Sequence, residues 1–115
     1  MASGTIKKEG FPTLTPLTTY AKFTQTTGGY SVIGNTVIVQ IYTYVDSAFA
    51  TNTWYTLTDQ LPPAAVPATL AVSSNGQHDY DASCMVAANG EAWVFSGSSA
   101  LTGLRLAITG VYIKA

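Results

Sequence analysis

Residues 30–45, YSVIGNTVIVQIYTYV, leave the chain few choices of fold. After the Gly34-Asn35 pair, Val37, Val39, Ile41, Thr43 and Val45 alternate with Thr36, Ile38, Gln40, Tyr42 and Tyr44. Successive side chains of a strand point to opposite faces, so this period of two dictates a β-strand. With the short run before Gly34-Asn35 it predicts a hairpin: a short strand, a turn, then a long strand. The first of the two faces is a core face. The second is not the charged face that a solvated strand shows. Ile38, Tyr42 and Tyr44 require cover, from another sheet or from another copy of the chain.

The rest of the chain follows the same rule. No segment repeats its apolar residues at the three-and-four spacing of a helix. Residues 14–23 are broken by Pro16, which suits an edge strand or an extended arm. Thr26-Thr27-Gly28-Gly29 carries the composition of a turn. Residues 46–52 read as a polar loop with Phe49 at its middle, and 54–57 as a short strand. Residues 61–67 hold Pro62, Pro63 and Pro67 and must cross the surface in extended form. Further strands are expected at 70–73, 83–88, 92–95 and 104–113. Asn89-Gly90 is the strongest short hairpin signal and suits a type I′ turn. Short strands separated by turn residues, without helices, predict an all-β chain: an antiparallel β-sandwich of jelly-roll type. The last strand repeats the two-faced pattern of the hairpin. Leu104, Leu106, Ile108 and Tyr112 line one face; Ala107, Val111 and Ile113 line the other. Either this strand is covered on both sides, or its outer face packs against neighbouring subunits.

At 115 residues the chain is a single domain over residues 13–115. Residues 1–12 lack periodicity and read as a flexible lead-in or a remnant of cloning. Charged residues make up 10% of the sequence and hydrophobic ones 47%, whereas ordinary domains carry about 25% charged residues. The polar surface must therefore come from Thr, Ser, Asn and Gln, which tolerate burial in a homo-oligomer better than charges do. Five basic and six acidic residues give a net charge of −1. No basic patch is available for phosphates, which argues against nucleic acid. No apolar run approaches the ~20 residues of a spanning helix, so membrane insertion is not expected. The single cysteine, Cys84, sits in an apolar run and reads as a core residue rather than a nucleophile.

The order of several short pieces resembles the receptor-binding heads of bacteriophage tail fibres. Val32-Ile33-Gly34-Asn35-Thr36-Val37-Ile38-Val39 is similar to the VGNxVxV hairpin of those heads. Tyr55-Thr56-Leu57 and the segment Leu61-Pro62-Pro63-Ala64-Ala65-Val66-Pro67 match their Tyr-Thr-apolar and Leu-Pro-x-x-x-x-Pro pieces. A strand at 70–73, a hairpin at Asn89-Gly90 and a closing Ile108-Thr109-Gly110-Val111-Tyr112-Ile113 complete the order. The resemblance covers most of residues 28–113, and it departs from the family in lacking any stalk repeat. It implies a homotrimeric β-sandwich head in the virion tail tip, made in the bacterial cytoplasm, that docks on host-surface saccharide, with an upstream tail or baseplate protein as a further partner. A three-fold assembly buries one sheet face on every subunit, which assigns Ile38, Tyr42, Tyr44, Val111 and Ile113 to an oligomer interface.

His78, Asp79, Tyr80 and Asp81 form the densest polar cluster. As an enzyme, the chain would need a nucleophile beside His78, and no nucleophile elbow is present, so no covalent catalysis is expected. Two carboxylates and one imidazole are too few for a metal site, and no cofactor is implied. The simplest reading is a solvated loop. In a saccharide-contact reading, the carboxylates and imidazole bond sugar hydroxyls while Tyr80 stacks on a ring. Trp54 borders a polar loop and joins this set. Trp93 lies in the apolar run 92–95 and is expected in the core. Arg105 points away from the core and is placed to hold a ligand carboxylate or to cross to a partner subunit. The alternative to a binding head is a structural cap or baseplate module whose apolar faces serve assembly alone.

Overall fold

The computed structural model of the chain describes residues 13–45, 48–74 and 81–115. These residues form eight strands and no helix: β1 (Thr15–Pro16), β2 (Phe23–Ile33), β3 (Thr36–Val45), β4 (Trp54–Thr58), β5 (Ala68–Ser74), β6 (Ser83–Val86), β7 (Ala92–Phe95) and β8 (Arg105–Ile113). All pairings are antiparallel, in the order β1-β2-β3-β8-β5-β6-β7-β4. The sheet curls on itself. Strand β5 belongs to both halves: Leu70 is paired with Cys84 of β6, while the next residue, Ala71, is paired with Thr109 of β8.

The alternation read in the sequence sets the core. Val37, Val39, Ile41, Thr43 and Val45 of β3 are buried, as are Leu106, Ile108 and Tyr112 of β8. Leu57, Cys84, Val86, Ala92 and Val94 face them from the other half. Each fully buried Val or Ile contributes about 1.5–3 kcal/mol relative to exposure. A one-residue slip of β3 would turn its whole inner row to water, so the register is strongly fixed. Thr43 is the polar member of that row. Its hydroxyl lies 2.8 Å from that of Thr26, which lies 2.8 Å from that of Thr19, whose hydroxyl donates to the Phe23 carbonyl at 2.8 Å. The Thr43 hydroxyl also donates to the Thr24 carbonyl at 3.2 Å, so three hydroxyl hydrogens are shared among four contacts.

The curl is closed by the residues after β1. The Tyr20 amide donates to the Leu57 carbonyl at 2.9 Å, and the Thr58 hydroxyl donates to the Thr18 carbonyl at 2.8 Å. Gln60 clasps Thr18 through both its amide oxygen and its amide nitrogen. The Leu57–Thr58 end of the β4 edge is thereby covered, which shortens the template it offers to another chain. At one end, loops seal the core with Phe49 and Leu101, both fully buried. Phe49 packs edge-on against Phe23 and Tyr55, with ring centroids 5.7 and 4.3 Å away.

Two local expectations are corrected. Thr26-Thr27-Gly28-Gly29 is not a turn: β2 runs through it for eleven residues. A side chain on Gly28 would sit 2.0 Å from the Gln40 carbonyl oxygen, so the glycines answer to close backbone approach inside the sheet. The β6–β7 connection is also not a type I′ turn. Gly90 alone has positive φ, +88°, and its amide donates to the Ala87 carbonyl while the Ala87 amide donates to the Glu91 carbonyl. This is a type I turn followed by a glycine bulge, a three-residue loop that leaves Asn89 in ordinary backbone.

Candidate functional site

The first predicted cluster is only partly placed: His78, Asp79 and Tyr80 lie outside the described residues. Asp81 follows them and ends two residues before β6. Its carboxylate accepts from the Ser98 amide at 2.8 Å and from the Ser98 hydroxyl at 3.2 Å. The backbone hydrogen bond from Ser98 holds the Asp81 carboxyl below its ordinary pKa. Asp81 thus ties the start of β6 to the loop between β7 and β8. Among the described residues no three His, Cys, Asp or Glu side chains gather as metal ligands do.

Trp54 opens β4, the last strand in the sheet order, and is 48% exposed. It is paired with Phe95 across the strands, with ring centroids 4.9 Å apart and planes tilted by 39°. Phe95 is in turn paired with Ser83, two residues after Asp81. Trp54 and Asp81 therefore flank Phe95 at one end of the β4–β7–β6 half. The indole N–H of Trp54 has no hydrogen-bond partner among the described residues.

Trp93 corrects the sequence reading. Ala92 and Val94 are the buried members of β7, and Trp93 and Phe95 alternate to the outer face. Trp93 is paired with Thr56 and Met85, which places it diagonally next to Trp54 on the same surface. The outer face of this half is thus a short aromatic strip: Trp54, Phe95, Trp93, with Met85 beside it. The segment 92–95 is apolar throughout and gives no phase by itself. The inward phase of Ala92 and Val94 was detectable only through the neighbours, since Cys84 and Val86 must face the core opposite Val94 and Ala92.

Arg105 lies on the outer surface of the other half, paired with Tyr44. The five residues expected at an oligomer interface all share this surface. Ile38 is paired with Val111, Thr36 with Ile113, and Tyr42 with Ala107. Val111 and Ile113 are 59% and 56% exposed, so the last strand is not covered on both sides by its own chain. Two exposed residues belong with them and escaped the sequence reading. Ile33 ends β2 opposite Thr36, and Val66 follows Ala65, whose amide donates to the Ile113 carbonyl. Ile33 was legible as the end of an alternating strand; Val66 was not, because its proline-rich segment has no period.

Cys84 is buried on the inner face of β6, and burial pushes its thiol up to about 12. It is a core residue, poorly suited to nucleophilic work. No family model, curated protein or solved structure matches the chain.

Proposed function

We propose that the chain is the attachment head of a bacteriophage or prophage tail, binding a saccharide of the bacterial envelope without covalent chemistry. The observation that carries this reading is the aromatic strip led by Trp54, half exposed and braced on Phe95. A flat ring offers the apolar face that the C–H side of a sugar packs against, and the free indole N–H offers a donor to a hydroxyl. Asp81 borders the strip, tied to the loop between β7 and β8 through Ser98. The order of sequence pieces across residues 28–113 supports the phage assignment, and the curled sheet with its shared strand β5 suits a jelly-roll type of sandwich.

In this reading copies associate as a homotrimer in the virion tail tip, through the aliphatic end of the outer face of β3 and β8. Ile33, Ile38, Val111 and Ile113 supply that surface, with Tyr42 and Tyr44 towards its rim. Three weak saccharide sites on one rigid body would gain avidity of about 10²–10⁴ over a single site. An upstream tail or baseplate protein would carry the head.

A structural cap is the second reading, favoured by the same exposed Val111 and Ile113, which need no ligand to be useful. A glycan array separates the two. The binding head gives signal on at least one bacterial wall polysaccharide, and Trp54→Ala removes it without lowering the melting temperature. A blank array with correctly folded protein overturns the binding head and leaves the cap. Solution mass tests the assembly: a trimer that Val111→Lys converts to monomer is expected, and a monomeric wild type refutes it.

A further inference from the structure

The outer face of β3 and β8 changes character along its length. Near Gly34 it is aliphatic. At the other end Arg105 is held over two rings, its guanidinium carbon 5.7 Å from the Tyr42 centroid and 5.6 Å from that of Tyr44. Its Nη2 donates to Oε1 of Gln25 at 2.7 Å. Among the described residues the guanidinium donates to no carboxylate, and its remaining N–H groups have no partner.

Gln25 reaches Arg105 because β2 is irregular there. Thr24 is paired with Tyr44 and Thr27 with Tyr42, so Gln25 and Thr26 together oppose Thr43. This is a bulge of two residues against one. Thr26 turns inward to the Thr43 hydroxyl. Gln25 takes a φ of +53°, a left-handed conformation uncommon for any residue with a side chain. Backbone strain of this kind persists where the surroundings over-determine it and gathers at binding sites. Here it aims an amide oxygen at a guanidinium already held beside two tyrosine rings, which limits the positions open to the fork.

We propose that Arg105, oriented by Tyr42, Tyr44 and Gln25, receives an oxyanion carried on a saccharide: the carboxylate of a uronic acid or the phosphate of a sugar-phosphate unit. A planar, pre-oriented guanidinium matches two oxygens of such a group, which a lysine cannot do. The word saccharide rests on the attachment reading above; the oxyanion site does not.

Calorimetric titration, with the Arg105 side-chain N–H followed by NMR, tests this with four probes: an oligogalacturonate, its methyl ester, a hexose phosphate and inorganic phosphate. The acid or the hexose phosphate is expected to bind at least tenfold more tightly than the ester, and to shift the Arg105 resonance. Arg105→Lys keeps the charge and loses the fork, and should remove at least tenfold of that affinity. Gln25→Gly keeps Arg105 but frees it, and should weaken binding several-fold. Whichever of the two anions binds more tightly identifies its source as carboxylate or phosphate. Acid and hexose phosphate both binding no more tightly than the ester, or an Arg105→Lys protein as tight as wild type, overturns the proposal. Neutral-sugar binding that depends on Trp54 and not on Arg105 leaves the attachment reading standing while this one falls. Inorganic phosphate bound through Arg105 as tightly as any sugar, with a blank glycan array, leaves the oxyanion site standing while the attachment reading falls.

Discussion

Phe49→Ala should destabilise this protein more than its place in a loop suggests. The ring is fully buried and meets Phe23 and Tyr55 edge-on. Its carbonyl also accepts from the Thr102 hydroxyl at 3.1 Å, which fastens the loop to the β7–β8 connection. Truncating a core phenylalanine costs about 3–5 kcal/mol. The neighbours Ala48 and Ala50 are exposed, so the backbone can follow a smaller side chain inward and reduce the cavity. The lower part of the range, about 3–4 kcal/mol, is therefore expected. At about 4 °C per kcal/mol for a domain of this size, the melting temperature should fall by about 12–16 °C. Phe49→Leu fills most of the space but loses the two edge-on ring pairs, and should cost about 1–2 kcal/mol. Urea melts followed by far-UV circular dichroism measure both. A loss below about 1 kcal/mol for Phe49→Ala would refute the idea that this loop is part of the core. Equal losses for Ala and Leu would show that volume does not decide the cost.

Three further outcomes follow from the structure. Burial pushes Cys84 and Tyr112 each up to about 12, and Tyr112 also donates its hydroxyl to the Pro62 carbonyl at 2.7 Å. The unfolded chain loses these protons first, so their contribution is intact below about pH 9 and is lost as pH climbs towards 12; urea midpoints at pH 8, 10 and 11 should fall in that order, and Cys84 should resist thiol reagents until the protein is unfolded. Asp81 shows the opposite sign. Its carboxyl is held low, so its contribution is present above the ordinary carboxylate range and lost as pH falls through it. Asp81→Asn should flatten the acid limb of the stability profile, and an unchanged limb would remove Asp81 from its role as clamp on Ser98. Gly110→Val places new carbons where a Cβ would already lie 2.6 Å from Cδ2 of Leu70, and overpacking there should cost about 1–3 kcal/mol by the same urea melts; a neutral substitution would show that β5 can move off β8.

Much of the fold was legible because alternation and turn residues agree. The inner row of β3, the split faces of β8 and the hairpin at Gly34-Asn35 could be read directly, since Val and Ile recur at a period of two beside a short turn. The bulge at Gln25 and Thr26 could not. Thr24 to Thr27 are all polar, so an inserted residue shifts no apolar pattern, and the following glycines imitate a turn. Trp93 was hidden for the reverse reason: every residue of β7 is apolar, and here the small Ala92 and Val94 go in while the large rings go out. The site residues divide along the same line. Trp54 was visible as an aromatic bordering a polar loop and Arg105 as an outward strand position, but their partners, Phe95 for one and Gln25 for the other, depend on pairings that no single stretch of sequence states.

The position of β8 has a consequence for how the protein is made. It is the last of the eight strands among the described residues, yet it is bonded to β3 on one side and β5 on the other. At about 5–20 residues per second, the ribosome takes several seconds to travel from Val45 to Arg105. Throughout that interval the free edge of β3 and its oily inner row wait for a neighbour that has not yet been synthesised, joined by the edge of β5 once Ser74 has been made. Nascent chains of this protein should therefore need shielding late in translation, and release prematurely before Arg105 should yield aggregates rather than a smaller folded product.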